Sequence, residues 1–264
     1  MQVYPIAHTE LNYVALETMF QELGPEAMEW FVNQNRESEA DALHEIAGRI
    51  CYKSFGTSLN KNVNQTRADQ QEYIANILKS GHGSVLEHGT VTFAFMGVSR
   101  ILTHELVRHR IAGYSQESGR YVRVDSLRFY FPDSIADAAK KYDMPHIQSK
   151  FLNALDEAVR RYQDLESQIP WDDMKMDEKK SLTSSLRRIL PQGLCCDIIM
   201  TANHRSWRQI IQKRCTQHAE EEIRKLFFEV AKNLKKIAPH TYQDFEPVAH
   251  INDMQTYTSN YQNV

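Results

Sequence analysis

The sequence predicts an α+β fold with a central antiparallel sheet flanked by helices. Helical periodicity dominates both ends of the 264-residue chain, whereas the strand patterns lie in its middle. Because helices and strands are segregated, the pattern favours α+β over repeated β/α units. The chain shows no internal repeat, low-complexity tract or Gly/Ser/Pro-rich linker, so residues 1–264 are predicted to form a single domain.

The N-terminal part predicts helices separated by a loop. Apolar residues recur at helical spacing from Leu11 to Leu23, and a second helix is predicted from the N-cap Ser38 to Ile50. The polar stretch "GTSLNKNVNQTR" then predicts a loop. A further apolar face from Tyr73 to Leu78 predicts a helix that Gly81 ends in a left-handed conformation, which places residues 82–84 on a loop.

The middle of the chain predicts two strands with a helix between them. Apolar residues alternate from Val91 to Phe95, the period of a half-buried strand, and residues 126–132 predict a second strand that ends at a proline. Between them Ser99 is predicted to cap a helix through "RILTHELVRHR", followed by a glycine-containing turn, "AGYSQ". Three polar residues share one face of that helix: Glu105, Arg108 and His109.

The C-terminal half predicts three helices. The first keeps a 3.6-residue period from Ile147 to Ile169, and the second, in "DEKKSLTSSLRRIL", stops at Pro191. A long helix is then predicted from about His204 towards Ile237. Arg214 and His218 lie one turn apart at the edge of its apolar stripe, where an arginine most often extends its guanidinium into solvent.

Composition excludes several classes of protein. The formal net charge of −3 is too low for a general nucleic-acid binder, so any anion site must be local. With no run of about 18 apolar residues and no signal-peptide pattern, the predicted location is cytoplasmic, without membrane association. The four cysteines form no CxxC pair, and the histidines lack metal-ligand spacing, so we expect reduced structural thiols and no metal site.

The stretch "RHRIAGYSQESGRY" from Arg108 to Tyr121 holds the strongest chemical signal. Its arginines stay charged at neutral pH and present paired N–H donors, and Ser118 and the backbone near Gly119 add neutral donors. The stretch therefore predicts an anion-binding turn, although a solvated basic helix end fits the spacing equally well. The residues show no obvious protein nucleophile and no metal site, so an enzyme built here would need an organic cofactor. Neither a Rossmann nor a P-loop motif indicates nucleotide binding, and no GxSxG motif is present.

The same stretch resembles the signature of the flavin-dependent thymidylate synthases, in which RHR is followed after seven residues by serine. Here Arg108-His109-Arg110 precede Ser118 at that spacing. Further blocks resemble family segments in the expected order over about residues 40–240: "AGRICYKSF", "GHGSVLEH", "SRILTHELVRHR", "RRILP", "ANHRSWRQ" and "KRCTQHAEEEIRKL". Six ordered blocks are far more specific than one short motif.

The resemblance implies the family fold and a complete activity. Members of the family make dTMP from dUMP, taking a methylene group from methylenetetrahydrofolate and reducing equivalents from NADPH through FAD. They use no cysteine nucleophile, which agrees with the apolar context of Cys195 and Cys196. They are homotetramers with active sites between subunits, so the resemblance implies that this chain partners with itself.

The resemblance also assigns roles to individual residues of this chain. Arg214 would favour ionisation at N3 of the uracil ring, and Ser118 would sit near the reacting pyrimidine. The residues implied to bind the cofactor are His82, Ser84, Arg108, His109, Arg110, Gln116, Asn203, Arg205, Gln209 and His218. The residues implied to bind dUMP are Glu105, Leu106, Val107, Arg108, Gln116, Glu117, Ser118, Gly119, Arg120, Arg187 and Arg214.

One departure from the family pattern keeps one alternative open, and the arginines of the motif keep another. Gly113 stands where the family often has serine, and its missing side chain is expected to loosen the turn by up to about 1 kcal/mol. A first alternative is therefore a flavin-dependent hydroxymethylase of the same fold. A second is a non-catalytic nucleic-acid-binding module that uses the arginines on phosphates, against which the acidic net charge argues.

Overall fold

A four-stranded antiparallel sheet forms the centre of the computed structural model, which describes residues 1–34, 37–123, 127–250, 254–262 and 264. Its strands are β1 (Gln2–His8), β2 (Thr90–Ser99), β3 (Ala112–Gln116) and β4 (Cys195–Asn203), in the spatial order β1-β2-β4-β3. A separate two-stranded antiparallel ribbon consists of β5 (Phe245–Ala249) and β6 (Gln255–Ser259). The prediction of an α+β fold with a central antiparallel sheet is confirmed.

Ten α-helices surround the two sheets in the described part of the chain. They are α1 (Tyr13–Leu23), α2 (Pro25–Asn33), α3 (Glu39–Tyr52), α4 (Gln70–Ser80), α5 (Arg100–Leu106), α6 (Asp133–Lys141), α7 (Ile147–Ser167), α8 (Met176–Leu186), α9 (His204–Arg214) and α10 (Glu221–Ile237). Within these described residues, no helix is both long and apolar enough to span a bilayer.

The main core lies between one face of the central sheet and helices α9 and α10. The alternation predicted for β2 is confirmed, because Val91, Phe93 and Phe95 are fully buried. They pair in register with Ala202, Met200 and Ile198 of β4. On the helix side the Trp207 indole N–H donates to the Val91 carbonyl at 3.2 Å. Each buried side chain of this size stabilises the fold by roughly 1.5–3 kcal/mol.

The predicted helix ends before the site are confirmed. The Ser38 hydroxyl accepts the Asp41 N–H at 3.1 Å, and the Ser99 hydroxyl accepts the Leu102 N–H at the same distance. Gly81 ends α4 with φ of 75°, a left-handed conformation that costs glycine little.

Two predictions around the motif are wrong. Helix α5 ends at Leu106, so Arg108 and His109 lie beyond it and do not share a helical face with Glu105. Past this end the His109 N–H donates to the Leu106 carbonyl at 3.1 Å, as in a tight turn, and the Tyr114 hydroxyl lies 3.0 and 2.7 Å from the Leu106 and His109 carbonyls. The stretch "AGYSQ" is strand β3 instead of a turn, since its backbone pairs with β4 from Ala112 to Gln116.

Two further predictions are also wrong. The strand predicted at residues 126–132 is reduced to a single bridge between Phe129 and Leu194, and Ser126 lies outside the described residues. The long C-terminal helix is divided into α9 and α10. The Cys215 carbonyl accepts the Tyr257 N–H, and the Glu220 carboxylate accepts the first N–H groups of α10, so the backbone leaves the helical path between them.

Two fully buried histidines, His44 on α3 and His204 on α9, pack against each other. Thr241 donates to Asp41, so its hydroxyl oxygen accepts the Nδ1 proton of His44 at 2.8 Å. His204 contacts the Tyr242 hydroxyl through Nδ1 at 3.1 Å, and the ring centroids of His44 and His204 lie 5.0 Å apart. Burial lowers the pKa of His204 to about 3 and that of His44 well below its ordinary value. Both rings are therefore neutral in the folded protein.

The neutral histidines make stability depend on pH. The unfolded chain takes up protons on both rings below about pH 6.5, whereas the folded protein does not, so the free energy of unfolding should fall as the pH decreases from 6.5. The slope at full effect is about 1.4 kcal/mol per pH unit for each histidine. Urea unfolding between pH 5 and 7.5 measures this slope.

The variant His44→Gln isolates the contribution of one histidine to the pH dependence of stability, because an amide can still donate to Thr241 but does not titrate. In the variant, the free energy of unfolding should change less steeply with pH, and the difference in slope should equal the contribution of His44. Burial raises the pKa of Asp41, so this carboxyl makes the folded protein more stable as the pH falls. This contribution is present in both proteins and cancels in the comparison. Equal slopes in the two proteins would contradict the assignment.

Candidate functional site

Three side chains from two helices and the loop after α5 meet at the end of α9. Arg214, the last residue of that helix, donates from Nε to His109 Nε2 at 2.9 Å and from Nη1 to Glu105 Oε2 at 2.7 Å. The Arg214 and Glu105 side chains are 20% and 26% exposed, so solvent and ligand reach them. Burial, and then the Arg214 charge, lower the pKa of His109 to about 4. This set is called the Arg214 cluster below.

The two other basic residues of the motif face solvent. Arg108 and Arg110 are exposed and form no ion pair with any residue that the structure describes. The chain turns sharply after them, because Ile111 adopts φ of 64°, an unusual value for a β-branched residue, and is 77% exposed. Such strain is typical of functional sites, and here it leaves two guanidinium groups open to a ligand.

A second cationic cluster lies at the opposite end of β3, around Gly119. Arg187 donates from Nη2 to the Val122 carbonyl at 2.7 Å and to the Glu117 carboxylate at 3.3 Å. Its Nε is buried without an acceptor among the described residues. A Cβ on Gly119 would lie 3.7 Å from Arg187 Cδ and 3.8 Å from Nη2 of Arg100, so two guanidinium groups flank this glycine.

Charge in this Gly119 cluster favours an anionic ligand. Two guanidinium groups face one carboxylate, and an unpartnered buried N–H favours binding of an acceptor oxygen. Ser118 accepts the Arg120 N–H at 3.2 Å, which shapes the loop. The Gln116 amide donates inward, to Thr103 and Cys196 at 3.1 and 3.3 Å, so only its carbonyl oxygen remains for a ligand.

A small cavity of about 220 Å³ lies where β4 passes into α9. It is lined by Glu87, Ile111, Asn203, Arg205, Ser206, Gln209 and Val264. Asn203 caps α9 by accepting the Ser206 N–H, and Arg205 pairs with Glu87 at 2.5 Å. The glycine at position 83 makes room for that arginine, because a Cβ there would lie 2.7 Å from Arg205 Nε. The cavity thus joins the Ile111 turn to three predicted cofactor residues.

His82 and Ser84 line a larger cavity of about 480 Å³ between α3 and α4. The His82 ring stacks on Tyr52 with centroids 5.7 Å apart, and the Tyr52 hydroxyl lies 3.2 Å from His82 Nε2. Both rings are exposed, so the stacked pair can also contact a planar ligand.

Several predicted site residues lie apart from these clusters. Leu106 is fully buried in the core, so its side chain does not face a ligand, whereas Val107 and Arg120 are exposed. His218 is exposed in the turn between α9 and α10. The Arg214 and Gly119 clusters lie at opposite ends of β3, whose four residue steps span about 13 Å. One chain therefore does not bring all predicted residues to one point.

Sequence reasoning did not identify Arg100 as a site residue. Its only local signal is its place as the first residue of α5, directly after the cap Ser99. Its approach to Gly119 depends on the Glu117 carbonyl, which accepts from its Nη2 at 3.3 Å. That contact spans seventeen residues and a strand, so residue spacing alone does not reveal it.

The three cysteines that are buried or partly buried are poor nucleophiles. Burial raises the pKa of Cys195 to about 11 and that of Cys215 to about 12, and it also raises the pKa of Cys196. A thiol becomes a nucleophile only as the thiolate, so these three are inert near neutral pH. Cys51 is the exposed thiol and lines the cavity beside His82.

Taken together, the α+β fold carries two clusters of guanidinium groups and a stacked ring pair, an arrangement that suits anionic ligands with planar groups. The family model described as thymidylate synthase complementing protein matches residues 33–240. The chain belongs to this family.

Curated relatives agree with that assignment over most of their length. A protein of Corynebacterium diphtheriae named flavin-dependent thymidylate synthase is 35% identical over 228 residues, covering 84% of this chain and 85% of the relative. Proteins of the same name from Mycolicibacterium gilvum and Mycobacterium tuberculosis are 35% and 37% identical, covering 83% and 78% of this chain and 84% and 79% of the relatives.

The position of Gly113 gives a test of the observed fold. Gly113 lies on the edge strand β3, where it pairs with Thr201, and among the described residues beyond its chain neighbours no atom lies within 4 Å of a Cβ added to it. Glycine inside a strand costs about 0.5–1 kcal/mol relative to alanine, so Gly113→Ala should raise the free energy of unfolding by up to that amount. Urea unfolding measures the change, with Gly81→Ala as control, where the left-handed φ predicts destabilisation instead. A destabilised Gly113→Ala would contradict the strand.

Proposed function

We propose that the protein is a flavin-dependent thymidylate synthase. It converts dUMP to dTMP with methylenetetrahydrofolate as one-carbon donor and NADPH as reductant through FAD. Family membership and the names of the relatives support this activity. Within the structure, the observation that carries the proposal is the Gly119 cluster, where the unpartnered Arg187 Nε and the neighbouring Arg100 suit a nucleotide phosphate.

The residues near the Ile111 turn fit a flavin dinucleotide. Arg108 and Arg110 offer two open guanidinium groups for a diphosphate, which is doubly anionic. Asn203, Arg205 and Gln209 line the adjoining cavity with amide and guanidinium groups that suit the carbonyl and ring-nitrogen edges of a flavin. When bound, FAD would supply the reducing equivalents that turn a methylene into a methyl group.

The Arg214 cluster suits the pyrimidine of dUMP. The Nη2 group of Arg214 has no hydrogen-bond partner among the described residues, whereas Nε and Nη1 are held. A fixed guanidinium directed at the uracil edge stabilises negative charge at N3 and makes C5 more nucleophilic. Neither Cys195 nor Cys215 suits the role of a nucleophile towards the pyrimidine, since burial raises the pKa of both thiols.

Self-association accounts for the separation of the two clusters. The proposed phosphate-binding and pyrimidine-binding groups lie beyond opposite ends of β3, a strand of about 13 Å in length. A second copy that places its Gly119 cluster beside the first copy's Arg214 would complete a site with both. We therefore propose a homotetramer with sites between subunits, located in the cytoplasm, with residues 1–264 as one domain.

The two alternatives are not favoured. The hydroxymethylase was suggested by Gly113, but this residue lies within a strand and contacts no other side chain at its Cβ position. The nucleic-acid module requires a basic surface, whereas the chain carries a net charge of −3 and belongs to an enzyme family.

The activity is tested directly with purified protein. We expect a yellow protein with a flavin absorption spectrum, and conversion of dUMP to dTMP that requires both methylenetetrahydrofolate and NADPH. Mass spectrometry of the product separates an added methyl from an added hydroxymethyl group. A colourless protein without turnover would refute the proposal, and a hydroxymethyl product would favour the first alternative.

Ser118 tests the role of the loop. Ser118→Ala should lower turnover about tenfold or more, a change in activation free energy of about 1.4 kcal/mol, because the hydroxyl sits beside the proposed substrate. The free energy of unfolding should change little, since the residue is only partly buried. Steady-state kinetics with varied dUMP measures the effect, and Ser115→Ala on β3 is the matched control. Kinetics equal to wild type would remove Ser118 from the site.

A further inference from the structure

Arg214 is held between two acceptors of different kinds. Its Nε donates to an imidazole nitrogen of His109 and its Nη1 to a carboxylate oxygen of Glu105. The two contacts meet the planar guanidinium at different positions, one at the Nε–H and one at Nη1, so together they fix the orientation of that plane. The Nη2 group, which lies between them on the plane, remains without a partner among the described side chains and backbone groups.

The contact with His109 defines the state of that ring. A guanidinium does not release a proton near neutral pH, so each of its nitrogens can only donate. His109 Nε2 must therefore accept with its lone pair, which places the single ring proton on Nδ1 and leaves the ring neutral. An imidazolium would direct a second N–H against the Arg214 donor.

The charges around the ring favour the same state. Arg214 and Lys213 on α9 and Arg108 in the same loop all act to lower the pKa of His109, after the larger effect of burial. Glu105, on α5, is the carboxylate of the cluster, and its oxygen contacts Arg214 rather than the ring.

We propose that Glu105 is a positioning residue that fixes the Arg214 guanidinium and, through it, holds His109 as a neutral imidazole with its proton on Nδ1. The inference rests on the proposed function in one respect: the Nη2 edge that Glu105 leaves free is the edge that would meet the pyrimidine. This positioning role stands beside the dUMP contact that the family resemblance implies for Glu105. Its carboxylate is three-quarters buried and already engaged, which suits an orienting role.

Loss of Glu105 has a specific consequence. Without the Nη1 acceptor, the guanidinium is free to rotate about its long side chain, and Nε no longer faces His109 continuously. The ring then loses both the donor that fixes its tautomer and the nearest positive charge. The proton should then distribute over both nitrogens, while burial, the larger effect, still holds the pKa of the ring below its ordinary value.

Nitrogen-15 NMR of histidine-labelled protein tests the proposal without turnover. The His109 signals are assigned by their loss in His109→Gln. In the wild-type protein we expect a neutral ring protonated on Nδ1 from pH 5.5 to 8. Glu105→Ala should show mixed tautomers of a ring that is still neutral, whereas Glu105→Gln, which keeps an acceptor oxygen for Nη1, should stay close to wild type.

A second variant keeps the test independent of how Glu105→Ala folds. Arg214→Lys retains a positive charge but lacks the Nε donor, so the His109 tautomers should mix although the charge is kept. In turnover assays, Glu105→Ala should lower kcat about tenfold with a smaller change in KM for dUMP. Glu105→Gln should restore kcat to within about threefold of wild type.

The outcomes separate this inference from the proposed function. A wild-type His109 that titrates near 6.5, or that carries its proton on Nε2, overturns the inference. So does a Glu105→Ala protein whose His109 spectrum is unchanged. If the NMR results are as expected but no dTMP forms, the positioning role is supported and the proposed function fails. If dTMP forms and Glu105→Gln is as impaired as Glu105→Ala in kcat, positioning through an acceptor oxygen is refuted.

Discussion

The buried ion pair between Arg208 and Asp244 determines how α9 is oriented, and the site depends on that helix. Both side chains are almost fully buried, and the guanidinium contacts the two carboxylate oxygens at 2.7 and 2.9 Å. Its other donors reach the Thr241 and Val264 carbonyls at 2.6 and 3.1 Å, so the charge is well satisfied. Loss of one partner would leave an isolated buried charge, which typically costs 3–5 kcal/mol. Rotation of α9 about its own axis would break this ion pair, so the pair fixes the orientation of the helix.

Because Arg208 points into the core, the directions of the other side chains of α9 are also determined. Arg205, at i−3, pairs with Glu87 at the rim of the small cavity, and Gln209 lines the same cavity. Arg214 is placed at the last turn, where cations are favoured by the helix dipole and where Glu105 and His109 meet it. A structural ion pair on one side of the helix thus sets the positions of the proposed cofactor and substrate groups on the others.

Much of this arrangement could be predicted from the sequence, for local reasons. The caps Ser38 and Ser99, the left-handed Gly81 and the alternation of β2 each depend on a few neighbouring residues, and all are confirmed. Strand β3 was missed because its glycine suggested a turn, and its strand conformation depends on pairing with distant β4. The break after Arg214 was missed because Tyr257 and Glu220 cause it through contacts that periodicity does not show. Arg100 is missed for the same reason.

The neutral His109 explains how so many cations share one end of β3. Arg108, Arg110, Lys213 and Arg214 lie on the segments that meet there, and a protonated ring would add another positive charge beside them. A neutral ring instead offers a lone pair, which turns a repulsive contact with Arg214 into a hydrogen bond of 2.9 Å. Glu105 pairs with Arg214 at 2.7 Å, whereas Arg108 and Arg110 form no ion pair in the described part of the chain. Positive charge is therefore exposed at this end of β3, although the chain as a whole is acidic.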